Sequence, residues 1–280
     1  MRLKRITFFS AVFAFCFVFV GSNFAQLKEP TIFPFVQKNV TLIRTAGGFN
    51  FDNDEYFDII GIASLVDSKG SMIPRTTYLV HLEESVTGDF NILWKFNIPE
   101  NVRGDFTDIA VTDIDGDGMQ EIAAALNISE VVSRKEPSWL YIFEYSDGFS
   151  QEPTATMRLT GSLPARPRPV YLDKGDINAD GRDDLIVSSS GPGRGVSVVS
   201  SEGEVLTGNL RFLSQLFEPK ILHGVLPFRA IAADIDTFPG CELLIFGGKK
   251  EFKTDVYNFN LEAEPVFSCL LYTSDAADEL

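Results

Sequence analysis

Cysteine is scarce in this chain of 280 residues: there are 3, at Cys16, Cys241 and Cys269. One lies in an apolar N-terminal run and one in an unusual C-terminal tail, so only Cys241 is left for the body of the protein and a disulfide framework is excluded. Histidine is rarer, with 2, and His81 and His223 stand at no spacing that a zinc site uses. His81 falls in a strand-like stretch and reads as structural. Positive charge is also in short supply, with 24 Lys and Arg against 39 Asp and Glu and a formal net charge of −15. So acidic a chain argues against a nucleic-acid partner, because that affinity rests on neutralising phosphates. The nucleophile-elbow and zinc-protease signatures G-x-S-x-G and H-E-x-x-H are missing. Ser188-Ser-Ser-Gly-Pro-Gly-Arg-Gly195 is glycine-rich but lacks the Lys-Ser/Thr ending of a phosphate cradle, so it reads as a loop. No catalytic constellation can be assembled from what remains.

Much of the negative charge is concentrated in a motif. Asp113-Ile-Asp-Gly-Asp-Gly-Met-Gln-Glu121 is followed by the apolar run Ile122–Leu126. Acids at alternate positions, a glycine sixth and an acid ninth are how a short loop wraps oxygen ligands around a hard cation. The expected ligands are the side chains of Asp113, Asp115, Asp117 and Glu121 and the carbonyl of Met119. Gly118 supplies the turn, since glycine reaches positive φ without a Cβ penalty.

The motif recurs. Asp176-Ile-Asn-Ala-Asp-Gly-Arg-Asp-Asp184 offers Asp176, Asn178, Asp180, Asp184 and the carbonyl of Arg182. Asn50-Phe-Asp-Asn-Asp-Glu-Tyr-Phe-Asp58 offers Asn50, Asp52, Asp54, Asp58 and the carbonyl of Tyr56. This loop is expected to bind more weakly, because an amide replaces the first carboxylate and Glu55 replaces the glycine. In Asp234-Ile-Asp-Thr-Phe-Pro-Gly-Cys-Glu242 the ends persist, but Phe238 takes the third ligand position and Pro239 stiffens the turn, so no cation is expected. The loops begin at 50, 113, 176 and 234, in steps of 63, 63 and 58. A near-fixed period of this kind marks a repeat architecture.

An EF-hand begins in the same way but needs a bidentate Glu at its twelfth position and helices on both flanks. The twelfth positions here are Gly61, Ala124, Val187 and Ile245, and the flanks are short β-type runs. Each period holds about four such runs, the size of a propeller blade. Hairpin turns are expected around Thr87-Gly-Asp89 and Ser146-Asp-Gly148, and the third unit is expected to end at Glu204-Val-Leu206. Leu210 to Leu222 reads as a short helix, and the last strand of the fourth unit as Asp255 to Leu261. Trp94, Trp139 and the other aromatics read as packing between units rather than a sugar platform.

These loops resemble the FG-GAP and VCBS repeats of integrin-α-like β-propellers, most closely along Gly175-Asp-Ile-Asn-Ala-Asp-Gly-Arg-Asp-Asp-Leu-Ile-Val187. The resemblance covers about residues 40 to 265. It implies an all-β fold, Ca2+ in the loops, and an incomplete arc of about four blades from a larger propeller.

Met1-Arg-Leu-Lys-Arg5, the apolar Ile6–Val20 and the small-residue Gly21–Ala25 read as a secretory signal peptide. The apolar run falls short of the ~20 residues a spanning helix needs. A secreted, periplasmic or cell-surface location is expected, with no membrane span after cleavage. Cys269-Leu-Leu-Tyr-Thr-Ser-Asp-Ala-Ala-Asp-Glu279 resembles a translated sequencing adaptor, so residues 269–280 are expected to be foreign to the blades at 26–268 and the native gene to continue. The resemblance implies a binding or adhesion scaffold for a protein or carbohydrate ligand. The alternative is the propeller part of a carbohydrate-active enzyme such as a polysaccharide lyase.

Overall fold

The alternation of apolar and polar residues on either side of each acidic loop is realised as strands, in a chain that forms no helix among its described residues. The computed structural model describes residues 39–100, 102, 104–128, 138–159, 168–190, 195–202, 210–217, 227–247, 251–257 and 267–273. The chain divides into two units, 1–34 and 35–280, and all described residues belong to the second. The expected signal peptide and entry segment therefore lie outside the described residues, as do His223 and Glu204–Leu206.

The strands fall into four consecutive groups, each an antiparallel four-stranded sheet whose order in space is its order in sequence. The first holds β1 (Val40–Phe49), β2 (Asp58–Leu65), β3 (Tyr78–Glu84) and β4 (Phe90–Asn97). The second holds β5 (Gly104–Thr112), β6 (Glu121–Ile128), β7 (Ser138–Glu144) and β8 (Ala155–Leu159). The third holds β9 (Arg168–Gly175), β10 (Asp184–Ser190), β11 (Gly195–Ser201) and β12 (Leu210–Phe217). The fourth holds β13 (Pro227–Ala233), β14 (Glu242–Gly247), β15 (Glu251–Tyr257) and β16 (Phe267–Thr273). The acidic loops all join first strand to second, so the twelfth loop positions lie in β2, β6, β10 and β14, where an EF-hand would have a helix.

Period-two patterning sends the two faces of each strand into different cores. On β6, Ile122, Ala124, Leu126 and Ile128 join Ile60, Ile62, Leu79, Trp94 and Phe96 of the first sheet. Ala123 and Ala125 face the other way, against Leu172, Leu185, Val187 and Val199 of the third. Ile186, Val196 and Val198 then meet Ala230, Leu243 and Ile245 of the fourth. Each fully buried aliphatic or aromatic side chain contributes about 1.5–3 kcal/mol, so the sheets are held mainly through these shared layers. Trp94 is buried there, its Nε1 donating to the Ser150 carbonyl at 2.9 Å, and Trp139 packs against the same cluster. Both tryptophans therefore serve packing between sheets, as expected.

Polar bonds fix the stacking angle. Asp108 on β5 accepts the Leu172 amide of β9 at 2.9 Å, and Asp173 on β9 accepts the Ala232 amide of β13 at 2.9 Å. Thr77 and Ser188 hydroxyls accept the amides of Phe106 and Ala230, both at 2.8 Å. Every first strand has a slip in its pairing, at Ile43, Thr107, Val170 and Phe228, and β1 has a second at Gly48. Such a slip bends a strand and re-aims the next side chain. The residues that follow the shared slip are Arg44, Asp108, Tyr171 and Arg229. Arg44 lies 3.6 Å from Asp108, and Arg229 lies over the Tyr171 ring at 5.5 Å.

Two expectations need correction. Leu210–Phe217 is a strand, not a helix, and fills the fourth place of its sheet. Its register slips at Leu213, so Leu210 and Phe212 pack on one core and Leu213 on another. An unpaired edge of β11 offered a ladder of hydrogen bonds that an isolated helix could not match, which is tertiary context overriding propensity. In the fourth sheet, β15 starts at Glu251 rather than Asp255, and 258–261 lie outside the described residues. The strand β16 includes Cys269 to Thr273, which pair with β15 from Glu251 to Thr254.

Candidate metal centre

The second loop is drawn together by its own backbone. Asp113 accepts the Gly116 amide at 2.8 Å on one oxygen and the Gly118 amide at 3.1 Å on the other. Asp115 accepts from the Asp117 amide at 3.3 Å, and Asp117 from the Met119 amide at 2.7 Å. Gly118 has the expected positive φ of 87°, and Gly116 adds one of 77°. Each of these bonds turns a carboxylate inward. As a result one carboxylate oxygen from each of Asp113, Asp115, Asp117 and Glu121 lies within 4.8 Å of the others.

Glu121 is the informative member. It is fully buried, and Oε2 accepts the Ile114 amide at 2.8 Å. Oε1 is buried with no hydrogen-bond partner. A buried unpaired charge is costly, so the group must either neutralise or acquire a counter-charge. Burial above all, then the charges of Asp115, Asp113 and Asp117, pushes its pKa up to about 8 against the opposing Ile114 hydrogen bond. A cation among four carboxylates would remove that conflict, and the donors are all oxygen, as hard cations prefer.

The third loop uses the same closure, with the Ile177 amide donating to Asp184 Oδ2 at 3.0 Å. Asp184 Oδ1 is again buried with no partner at hydrogen-bonding geometry, and burial raises this carboxyl to about 6 against the Ser200 hydroxyl and the Ile177 and Asn178 amides beside it. Asp176 accepts the Asp180 and Gly181 amides at 3.0 and 2.9 Å, and Asn178 accepts from Asp180 at 3.0 Å. Asp180 is drawn elsewhere: its Oδ2 takes the Arg182 guanidinium at 2.9 Å and the Asn178 amide at 3.0 Å. Burial opposes the effect, but these donors hold its carboxyl below the ordinary value. Asp176, Asp180 and Asp184 consequently do not converge as the second loop's acids do. Ala179 sits at φ 58°, a left-handed conformation that costs a non-glycine residue about 1–2 kcal/mol.

In the first loop Asp52, Asp54 and Glu83 come within 4.8 Å of one another. Asp54 accepts the Tyr56 amide at 2.6 Å. Asn50 clasps Asp54, accepting its amide at 3.1 Å and donating to its carbonyl at 2.7 Å. Asp58 is buried elsewhere, with Oδ2 on the Phe51 amide at 2.7 Å and Oδ1 on His81 Nε2 at 2.6 Å. In the fourth loop Glu242 accepts the Ile235 amide at 2.9 Å, while Phe238 is 74% exposed where a ligand would be.

Glu83 and Glu144 were invisible to loop reading. Glu83 stands opposite Asp58, and Glu144 stands opposite Glu121, each on the third strand of its sheet. Glu144 is pushed up by burial and then by Asp115 and Asp117. Their separation from the motif varies with hairpin length, so no fixed spacing signals them. Asp183, at the eighth position, meets Lys174 at 2.9 Å and the Thr112 hydroxyl at 3.2 Å. Its amide donates to the Asp113 carbonyl at 3.2 Å, and the Cys241 amide donates to the Asp176 carbonyl at 2.6 Å. The second, third and fourth loops thus lie side by side. Among known proteins, no family model and no curated protein matches this chain.

Proposed function

We propose that this chain is a calcium-binding β-propeller segment, secreted, that serves as a recognition or adhesion scaffold for a protein or carbohydrate ligand. The observation that carries the calcium reading is Glu121 Oε1, buried and unpartnered beside Asp113, Asp115 and Asp117. Asp184 Oδ1 supports a second site in the third loop. Calcium would neutralise the converging carboxylates and fix the loop rim. These residues would hold it, while the strand ladder positions Glu121 and Asp184 from below.

Support for the propeller reading comes from four successive meanders stacked through shared cores, with β1, β5, β9 and β13 each in contact with the next. Meander sheets repeated in this way are the unit of propellers. Support for recognition is a cleft of about 460 Å3 beside β1 and β5, lined by Ile43, Arg44, Met72, Ile73, Thr77 and Asp105. It combines an apolar wall with a few polar groups, as ligand sites do.

Calorimetry of the full chain with Ca2+ tests the calcium reading. Extracellular calcium modules bind at about 10⁻⁴–10⁻³ M, and heat in that range is expected, lost on combining Asp115→Ala with Asp180→Ala. An absence of heat, or heat unchanged in the double variant, overturns it.

A further inference from the structure

We propose that His81 takes the place of the cation in the first loop, so that the Asn50–Asp58 loop closes without metal. This rests on the reading of the second and third loops as calcium sites. It makes residue 81 the determinant of whether the first loop takes an ion.

The ninth-position acids set up the comparison. In all four loops this acid accepts the amide of the second residue, so one oxygen is always spoken for. The other oxygen differs. In Glu121 and Asp184 it is buried with no hydrogen-bond partner, whereas in Asp58 it meets His81 Nε2 at 2.6 Å.

Strand register shows that the difference comes from one position. His81 pairs with Ile60, two residues past Asp58. The equivalent pairs are Ile142 with Ala123 and Val198 with Ile186. Ile142 and Val198 are buried and have nothing to donate, so they leave the carboxylate to an outside partner. His81 is equally buried and donates. Its ring is held edge-on by Phe51 and Phe149 at 5.6 and 5.4 Å and by Tyr145 at 6.4 Å. An imidazole confined on several sides cannot swing away to free Asp58 without disturbing the core between the first two sheets.

A second substitution works in the same direction. The Asn50 amide both donates to and accepts from the Asp54 backbone. The carboxylate found at this position in the other loops can only accept. The first loop is therefore pinned at both ends by protein groups. Asp52, Asp54 and Glu83, which converge outside this closure, form a solvated acidic surface.

Calcium equivalents per chain, measured by calorimetry on the full-length protein, decide the matter. Asp52→Asn combined with Asp54→Asn is expected to leave the wild-type count unchanged, whereas Glu121→Gln removes one equivalent. His81→Ile, which copies Ile142, is expected to gain one equivalent, and the Asp52→Asn/Asp54→Asn pair should take it away again. Loss of an equivalent from the Asn pair while His81 is present overturns the inference, as does a folded His81→Ile chain that gains none. Should His81→Ile not fold, the His81 ring nitrogen resonances of the wild type serve instead. They are expected to stay fixed through a saturating Ca2+ titration, and a shift overturns the inference. If the wild type binds no Ca2+ at all, the calcium reading of the other loops falls, and the gain or absence of an equivalent in His81→Ile still decides this one.

Discussion

The Ile114 amide donates to Glu121 Oε2 across seven residues at 2.8 Å, tying the second position of the loop to the ninth. The same bond recurs as Phe51 to Asp58 at 2.7 Å, Ile177 to Asp184 at 3.0 Å and Ile235 to Glu242 at 2.9 Å. It persists even in the fourth loop, where Phe238 takes the third ligand position. The bond belongs to the fold, and what separates the loops under the proposed calcium reading is what the second oxygen finds.

Glu121→Gln separates these two roles. The glutamine carbonyl can still accept the Ile114 amide, so the loop should keep its shape. Calcium affinity at this site should fall at least tenfold, which is about 1.4 kcal/mol. The metal-free melting temperature should hold or rise, since a buried charge is removed. Calorimetry and thermal melts in chelator check both.

Metal-free stability should depend on pH in an unusual direction. The pKa of Glu121 is raised from 4.5 to about 8 and that of Asp184 from 3.8 to about 6. Between its ordinary and its raised value each group binds more protons folded than unfolded, so stability is lost as pH rises through that window. In chelator the protein should melt at a higher temperature at pH 5 than at pH 8. Saturating Ca2+ should weaken or reverse the trend, because the ion replaces the proton. A flat melting profile from pH 5 to pH 8 in chelator would contradict the burial assigned to Glu121.

Two glycines should respond to alanine for different reasons. A Cβ at Gly104 would lie 2.5 Å from the Asn127 carbonyl oxygen, a backbone atom that cannot swing aside. Forcing atoms into a packed site costs about 1–3 kcal/mol. Gly118 has nothing within 4 Å, but its φ of +87° disfavours a side chain, at about 1–2 kcal/mol. Denaturant titration in chelator should show both losses, and only Gly118→Ala should also weaken Ca2+ binding.

Asp108→Ala should loosen the second sheet from the third. It leaves the Leu172 amide without its acceptor and Arg44 without its partner. An abandoned buried donor costs about 1–3 kcal/mol. Asp108→Asn, which keeps an acceptor, should recover most of it. Equal losses in the two variants would mean that the ion pair, and not the amide bond, holds the sheets.

The sequence by itself determined the all-β class, the repeat and the loops. Each is local: period-two patterning needs only neighbouring residues, and acids at alternate positions with Gly118 or Gly181 behind them need only one turn of chain. Strand places that depend on a neighbour were not legible. Leu210–Phe217 is apolar enough to read as a helix, and only the open edge of β11 makes it a strand. The same holds at the site. Loop spelling identifies Asp58 and Glu121 as equivalent acids, but His81 and Glu83 reach the first loop from β3, across a hairpin whose length sets no fixed spacing. Tertiary structure alone decides which carboxylate oxygen already has a partner, because a hydrogen bond across strands depends on register and burial.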